Sequence, residues 1–142
     1  MIENMEQFAA DLQTLLSGSV SAGVQVYERN APRDAGEALT VEPPFVVYTA
    51  DVRAPFDEGG EWSVDLFLDV WALGSFAGCY VEMTKLDDAL NGTAHIMASG
   101  SLCCDRNGLT FQRAERDPDD ERIRRMTGQY LIRFTPDLFV KE

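Results

Sequence analysis

The chain has 142 residues, 45% of them hydrophobic, and its 24 Asp and Glu residues outnumber 12 Lys and Arg residues to give a formal net charge of -12. A length near 150 residues is typical of one domain, and it buries enough surface to fold without disulfides or metal. Nucleic-acid binding depends on clustered Lys and Arg, so the acidity excludes a conventional DNA-binding protein. We therefore expect one acidic domain over residues 1–142.

Signals for a membrane or for secretion are not evident. The longest apolar stretches have four or five residues, far below the roughly 20 that cross a bilayer. The first residues, MIENMEQ, carry acids where a secretory signal carries Lys or Arg. We therefore expect the chain to stay in a reducing cytoplasm without membrane contact. Cys79, Cys103 and Cys104 are odd in number and two are adjacent, which predicts free thiols.

The charge is distributed unevenly along the chain. Residues 1–100 contain 16 acids and 4 bases, whereas residues 101–142 contain 8 of each, so the whole acidic excess lies in the first part. Arginine outnumbers lysine by ten to two, and most arginines lie in the last third. Arg suits fixed, bidentate pairing with carboxylates, which favours interface contacts. Solvated charges and ion pairs within the chain are the alternative interpretation, which stays open.

The first third predicts a helix, a strand and a long loop. Apolar residues at steps of three and four predict a helix over residues 5–16, ended by Gly18. Its stripe comprises Met5, Phe8, Ala9, Leu12, Leu15 and Leu16. Residues 23–28 alternate and predict a short strand. Residues 29–44 contain three prolines and predict a loop. Loops of this length in a compact domain are usually functional or mobile.

The middle of the chain predicts a long hairpin. Residues 45–53 and 62–73 predict two strands, joined by a connection over 54–61 that contains Pro and Gly. One face of the second strand is apolar. The other face carries Asp65, Phe67, Asp69 and Trp71. Two acids beside two large aromatics suggest contact with a partner or cover by the chain itself, and both interpretations remain open.

A second helix and further strands complete the chain. Residues 76–90 predict a helix that ends at Asn91-Gly92. Its apolar stripe comprises Phe76, Cys79, Tyr80, Met83, Leu86 and Leu90. Further strands are predicted over residues 94–101, 102–105, 109–116 and 126–135, with turn residues at 106–108. Short turns between strands and two amphipathic helices predict an α+β fold, a mostly antiparallel β-sheet with both helices packed on one face.

The sequence gives only weak signals for a catalytic or a metal site. The one histidine, His95, lies between apolar residues, which favours a core or strand-edge position over catalysis. A zinc site would need ligands from the adjacent Cys103 and Cys104, whereas structural zinc sites use spaced pairs. Asp65 and Asp69 lie roughly 13 Å apart by strand rise, beyond the separation used in glycoside hydrolysis. We therefore expect no enzyme activity and no cofactor, and favour a structural or binding role.

Several short motifs occur in an order that resembles a known family. They are an N-terminal helix, a Val-Tyr strand, PPFVVY at residues 43–48, VWA at 70–72 and a helix ending in KLDDALNG at 85–92. Over nearly the whole chain, this order resembles the tail terminator, or tail completion, proteins of long-tailed phages and prophages. The resemblance implies a small α+β subunit that forms a ring, commonly hexameric, at the head-proximal end of the tail tube.

The resemblance also implies a role and a place. The ring would stop tube polymerisation and join the virion tail to the head, without an active site, after assembly in the host bacterial cytoplasm. The loops over 29–44 and 54–61 are candidates for contacting tail-tube or head-completion proteins. DNA would pass through the lumen as an occupant without sequence-specific contacts, since negative charge repels it.

A closed ring needs a heterologous interface, in which two different surfaces of the subunit meet. An acidic first part and an Arg-rich last part would supply these surfaces. The predicted interface residues are Arg113, Arg116, Arg122, Arg124 and Arg125, facing Asp65, Asp69 and Trp71 of a neighbour. Matched charges of this kind set register and partner choice more than affinity.

Two other classes of function remain open. One is a different virion component, such as a head-tail connector or minor capsid protein. The other is a small-ligand-binding or enzymatic α+β domain with a pocket between sheet and helices. That pocket would use Tyr48, Trp71, Tyr80 and His95. Mass in solution separates the classes, because a ring favours the terminator and a monomer with a polar pocket favours the ligand binder.

Overall fold

In the computed structural model, two helices lie on one face of a mixed β-sheet. The structure describes residues 2–36, 39–53, 61–107, 112–113 and 122–136. In chain order, the elements are α1 (Ile2–Ser19), β1 (Gln25–Glu28), β2 (Phe45–Arg53), β3 (Trp62–Leu73), α2 (Phe76–Leu90), β4 (Thr93–Met97), β5 (Gly100–Arg106), β6 (Gln112–Arg113) and β7 (Ile123–Pro136). This is the α+β fold that the sequence predicts.

The described strands form one sheet in the order β1-β2-β3-β7-β5-β4. The short strand β6 pairs with β7 on the same edge of β7 as β5. β1 and β2 run parallel, because the segment between them returns the chain to the end of the sheet from which β1 starts. The remaining described pairs are antiparallel, which confirms the predicted character of the sheet. β7 lies at its centre and pairs with β3 along the whole of β3, from Trp62 opposite Phe134 to Leu73 opposite Ile123.

The main core lies between the helices and the sheet. α1 and α2 bury Phe8, Leu12, Leu16, Cys79, Met83, Leu86 and Leu90. These side chains pack on alternate residues of the central strands, including Val64, Leu66, Leu68, Met126, Tyr130 and Ile132. Gly78 allows close approach of α2 to β3, since a Cβ there would lie 3.0 Å from the Cβ of Ala72. Both helices therefore pack on one face, as predicted.

Two residues of α2 differ from the predicted stripe. The stripe predicts that Tyr80 is buried, but its side chain is 42% exposed, whereas Glu82 is only 6% exposed. The Glu82 carboxylate accepts hydrogen bonds from the Ser21 N–H at 2.8 Å and the Ser21 hydroxyl at 2.7 Å. A buried carboxylate is tolerated when such partners satisfy it. At the end of α1, the helix continues through Gly18 to Ser19, beyond the predicted stop.

The predicted strand over residues 94–101 is wrong, because a turn divides it. β4 ends at Met97, and Gly100 opposite it begins β5. The Ser99 N–H and hydroxyl donate hydrogen bonds to Asp11 Oδ2 of α1 at 3.1 and 2.6 Å. A contact from the other end of the chain therefore fixes this turn, and periodicity within the segment does not reveal it.

Some predictions fall partly outside the described residues. Residues 54–60 of the predicted connection lie outside them. Of the predicted strand over 109–116, only β6 is described. The last strand is longer than predicted, since β7 begins at Ile123 and ends at Pro136.

Candidate subunit interface

The face of the sheet opposite the helices carries several predicted interface residues. We call it the open face. It comprises the side chains of β2, β3 and β7 that point away from α1 and α2. They include Phe45, Val47, Thr49, Asp51, Asp65, Phe67, Asp69, Trp71, Ile123, Arg125, Thr127, Gln129 and Leu131.

At one end of the open face, Trp71 is enclosed by its own chain. Its ring stacks on Phe45 with centroids 5.0 Å apart, and the Arg125 guanidinium carbon lies 4.4 Å from its ring centroid. Arg125 also donates two hydrogen bonds to Asp69, from Nε to Oδ1 at 3.4 Å and from Nη2 to Oδ2. This two-pronged geometry is the one that suits a guanidinium and a carboxylate. Asp69, Trp71 and Arg125 therefore meet inside one subunit.

Described residues of the segment between β1 and β2 cover this end of the open face. Its residues Ala31, Leu39 and Val41 pack in a second apolar cluster that includes Trp71, apart from the main core. Trp71 is consequently only 6% exposed. Of the two interpretations of this face, cover by the chain itself applies to Trp71.

Beyond Trp71, the open face is concave and more exposed. A groove of about 320 Å³ is lined by Arg29, Val47, Thr49, Phe67, Leu68, Asp69, Thr127, Gly128 and Gln129. Phe67 is 39% exposed. Arg29 adopts a left-handed backbone conformation, with φ 68°, and its N–H donates to the Tyr48 carbonyl at 2.7 Å. That conformation costs roughly 1–2 kcal/mol for a residue with a Cβ, and it starts the segment that covers Trp71.

An acidic row crosses the sheet beside this groove. We use this name for Asp51, Asp65 and Asp105. Asp51 lies directly opposite Asp65, and Leu131 lies opposite both Asp65 and Asp105. Asp51 and Asp105 are exposed, and Asp65 is half-buried. Like charges directly opposite each other destabilise an antiparallel pair, so the Asp51–Asp65 pair costs the isolated subunit free energy, whereas Asp105 Oδ2 lies 4.0 Å from Arg133 Nη2.

The five predicted interface arginines do not share one surface. Arg122 is exposed at the entry to β7. Arg124 points toward the helix-covered face and Arg125 toward the open face, because successive strand residues alternate. Arg113 lies in β6, and Arg116 lies outside the described residues. Sequence reasoning found Asp65 but missed Asp51, whose place depends on the pairing of β2 with β3.

The residues of the alternative ligand pocket do not converge. The Tyr48 hydroxyl donates to a glutamine of α1 at 2.7 Å, on the helix-covered face. Trp71 lies on the opposite face, and Tyr80 lies on the exposed side of α2. His95 lies on β4, at the edge of the sheet, with Nε2 2.7 Å from a carbonyl near the end of α2. The predicted strand-edge position of His95 is confirmed.

Two of the three free cysteines are buried. Burial, together with the charge of Asp69, raises the pKa of the Cys79 thiol to about 11. Burial and nearby carboxylates raise the pKa of Cys104 to about 12. A thiol that stays protonated is a poor nucleophile and metal ligand. Within the described ranges, no group of three or more His, Cys, Asp or Glu residues is placed to hold a metal ion.

Of the described helices, neither α1 nor α2 is long and apolar enough to cross a bilayer.

Comparisons with known proteins identify a shared fold. Neither a family model nor a curated protein matches this chain. Among solved structures, it is similar to a chain from the virion of a native gene transfer agent particle, with a TM-score of 0.61 and 20% sequence identity. The match covers 87% of this chain and 94% of that chain. The two proteins therefore share one fold over most of their lengths.

Proposed function

We propose that this chain is a structural subunit of a phage-like virion and that it acts as the tail terminator. The observation that carries the proposal is the fold shared with a chain of the gene transfer agent virion, over 87% of this chain. The order of short motifs from residue 43 to residue 92 supports the assignment to the tail terminator within that class. In this role the protein forms a ring in the virion tail, is assembled in the host bacterial cytoplasm, and catalyses no reaction.

Two surfaces of the subunit are suited to closing such a ring. One is the acidic row with the exposed ring of Phe67 beside it. The other is the arginine-rich start of β7, with Arg122 and Arg124. Opposite charges on two different surfaces of one subunit favour head-to-tail contacts, and such contacts close into a ring when the rotation between subunits permits.

Strand geometry separates these two surfaces within one subunit. Asp65 lies opposite Leu131, and Arg124 lies seven positions before Leu131 along β7. Seven residues of strand span roughly 23 Å, which is far beyond the reach of a direct ion pair. Asp69 and Arg125 pair inside the subunit, and Asp105 Oδ2 of the acidic row lies 4.0 Å from Arg133 Nη2 at an exposed site. Because Arg124 lies so far from Asp65 of its own subunit, we propose that Arg122 and Arg124 contact the acidic row of a neighbour.

Reversal of charge tests the proposed interface. The double substitution Arg122→Glu and Arg124→Glu should convert a ring into monomers, measured by multi-angle light scattering and electron microscopy. The urea midpoint of the monomer should change little, because Arg122 is exposed and Arg124 is only half-buried. An unchanged oligomer mass would contradict the proposed contact.

A compensating variant provides the matched control. Adding Asp51→Arg and Asp65→Arg to the double substitution restores the net charge and exchanges the signs of both surfaces. Ring assembly should return in this fourfold variant, while Asp51→Arg and Asp65→Arg alone should not assemble. Failure of the fourfold variant to assemble would mean that the two surfaces do not meet.

The terminator role is separate from ring formation and needs its own test. Added to polymerising tail-tube subunits of the same virion, the protein should stop tube growth and remain at one end of the tube. Tube length and end-labelling by electron microscopy report the result. A ring that binds heads but leaves tube length unchanged would favour a head-tail connector or minor capsid protein.

A further inference from the structure

Among the residues that the structure describes, nothing pairs with the outer edge of strand β4, in contrast to most sheet edges. β4 lies at the end of the sheet, so one of its backbone edges has no neighbouring strand in the described part of the chain. Ile96 is 92% exposed, and Ala94 beside it is also exposed. Soluble proteins usually place Lys, Pro or a bulge on such a strand to prevent pairing with another chain. The sequence of β4, TAHIM, contains neither a charge nor a proline.

Strand β1, at the opposite edge of the sheet, is protected against pairing with another chain. At β1, the Val26 carbonyl accepts a hydrogen bond from Gln13 Nε2 of α1 at 3.0 Å. The Glu28 carbonyl accepts one from the Asn30 N–H at 2.8 Å. Glu28 also adds a charge to the strand. β1 is therefore closed to a further strand by its own chain, and the two edges of the sheet are not equivalent.

β4 is also held rigidly in place. The Thr93 hydroxyl donates to the Ala89 carbonyl at 2.7 Å, and His95 Nε2 lies 2.7 Å from the same oxygen. At the other end of β4, the turn into β5 is tied to Asp11 of α1 through Ser99. A strand fixed at both ends needs little ordering on binding, which lowers the entropy cost of association.

We propose that β4 pairs antiparallel with β4 of a second copy of this chain, about a two-fold axis at His95. Ala94 then lies opposite Ile96 of the partner, so a small side chain accommodates a large one on the open side of both sheets. In the β4–β5 hairpin, the alternation of hydrogen bonds directs the peptide groups of Ala94 and Ile96 outward. Two outward residues per strand supply about four hydrogen bonds across the pair.

The distribution of charge favours a second copy of this chain as the partner that pairs with β4. The chain carries a net charge of -12, so most pairs of its surfaces repel each other. Residues 89–104, which include β4 and its turn, contain no Asp, Glu, Lys or Arg. This surface can therefore approach its own copy without like-charge repulsion. A contact of one short strand is small, so the dimer should be weak and concentration-dependent.

This two-fold contact does not depend on the proposed ring. Ring closure uses heterologous contacts, whereas β4 against β4 is isologous, with the same surface on both sides. The tests below therefore use the Arg122→Glu and Arg124→Glu variant, in which ring contacts are removed. If rings do not form but the β4 dimer does, only the proposed function fails.

The first test measures self-association by sedimentation velocity from micromolar to millimolar concentration. Ile96→Lys should raise the dimer Kd by roughly tenfold or more, because an edge lysine opposes strand pairing. Val81→Lys is the matched control, since Val81 is 51% exposed on α2, and it should leave the Kd unchanged. A Kd unaffected by Ile96→Lys, or a chain that stays monomeric, would overturn the proposal.

The second test fixes the register with disulfides. On a Cys103→Ser background, the Ala94→Cys and Ile96→Cys proteins are prepared separately and then mixed under mild oxidation. Residues opposite in a hydrogen-bonded antiparallel pair have Cα atoms about 5.5 Å apart, within disulfide range. The mixture should form mixed disulfide dimers in higher yield than either protein alone. No crosslink, or equal yields in the unmixed samples, would refute the proposed register.

Discussion

Tyr130 of the central strand donates a hydrogen bond to Asp87 Oδ1 of α2, at 2.7 Å. The other oxygen of Asp87 lies 3.2 Å from Arg106 Nη1, at the end of β5. One carboxylate therefore connects the second helix to two strands of the sheet. Burial, together with the bond to Asp87, raises the pKa of Tyr130 above its usual value of 10.0, so the phenol remains a hydrogen-bond donor at neutral pH.

Removing this carboxylate should destabilise the subunit. We expect Asp87→Ala to lower the free energy of unfolding by about 2 kcal/mol, because it leaves the buried Tyr130 hydroxyl without its acceptor. Urea denaturation measures the loss. Asp88→Ala, next to it on the exposed side of α2, is the control and should stay within about 0.5 kcal/mol of wild type.

A double-mutant cycle isolates the hydrogen bond from the ion pair. In a Tyr130→Phe background, Asp87→Ala should cost about 1 kcal/mol less than in the wild type, because no hydroxyl is left unsatisfied. Equal costs in the two backgrounds would show that the hydrogen bond contributes nothing to stability.

Local spacing predicts the elements of this fold better than the contacts between them. The apolar stripe of α2 locates Met83 and Leu86 in the core, but it also places Tyr80 there. Glu82 is buried instead because Ser21, 61 positions earlier in the chain, satisfies its carboxylate. A contact at that separation depends on how α1 docks, and no pattern within α2 encodes it.

In the candidate interface, too, the sequence predicts which side chains share a strand face but not which residues of different strands lie opposite each other. Alternation along β3 places Asp65, Asp69 and Trp71 on one face, and this placement is confirmed. The pairing of Asp69 with Arg125 and the opposition of Asp51 to Asp65 depend on strand register. Register is set by the packing of whole strands, so these relationships emerge only from the fold.

The Arg125 cluster should be sensitive to a substitution that preserves charge. Arg125→Lys removes the two-pronged bond to Asp69 and the stacking on Trp71, and should lower the free energy of unfolding by about 1 kcal/mol. Arg133→Lys is the control, because Arg133 forms an exposed ion pair. Its Nη2 lies 4.0 Å from Asp105 Oδ2, and the two side chains are 55% and 63% exposed. An exposed pair of this kind contributes little. Equal losses in urea denaturation would contradict a special role for Arg125.

Alkaline pH should destabilise the protein through its buried thiols. Folding raises the pKa of Cys79 from 9.0 to about 11 and that of Cys104 from 9.0 to about 12. Above pH 9 the unfolded chain therefore holds fewer protons on these thiols than the folded one. Stability contributed by the protonated thiols is fully present below pH 9 and is lost as pH rises toward about 12.

Urea unfolding at a series of alkaline pH values measures this loss. Cys104→Ala should reduce the slope of stability against pH in that window, because one titrating group is removed. Cys103→Ala, at an exposed position of β5, should leave the slope as it is in the wild type. The same slope in all three proteins would show that Cys104 is not responsible.

We expect the acidic row to lower the stability of the isolated subunit and to strengthen ring assembly. Asp51→Asn removes one of two like charges directly opposite each other, so the isolated subunit should gain about 0.5 kcal/mol in free energy of unfolding at low salt. The gain should shrink as salt screens the exposed charge. If the acidic row receives arginines of a neighbour, the same substitution should weaken ring assembly in light scattering.

The opposite signs of these two effects distinguish an interface from ordinary surface charge. Asp88→Asn, on the exposed side of α2, should change neither stability nor assembly by a comparable amount. A loss of stability in Asp51→Asn would mean that Asp51 makes a favourable contact within the subunit. A gain in stability with unchanged assembly would exclude Asp51 from the interface. Its charge would then destabilise the subunit without stabilising the ring.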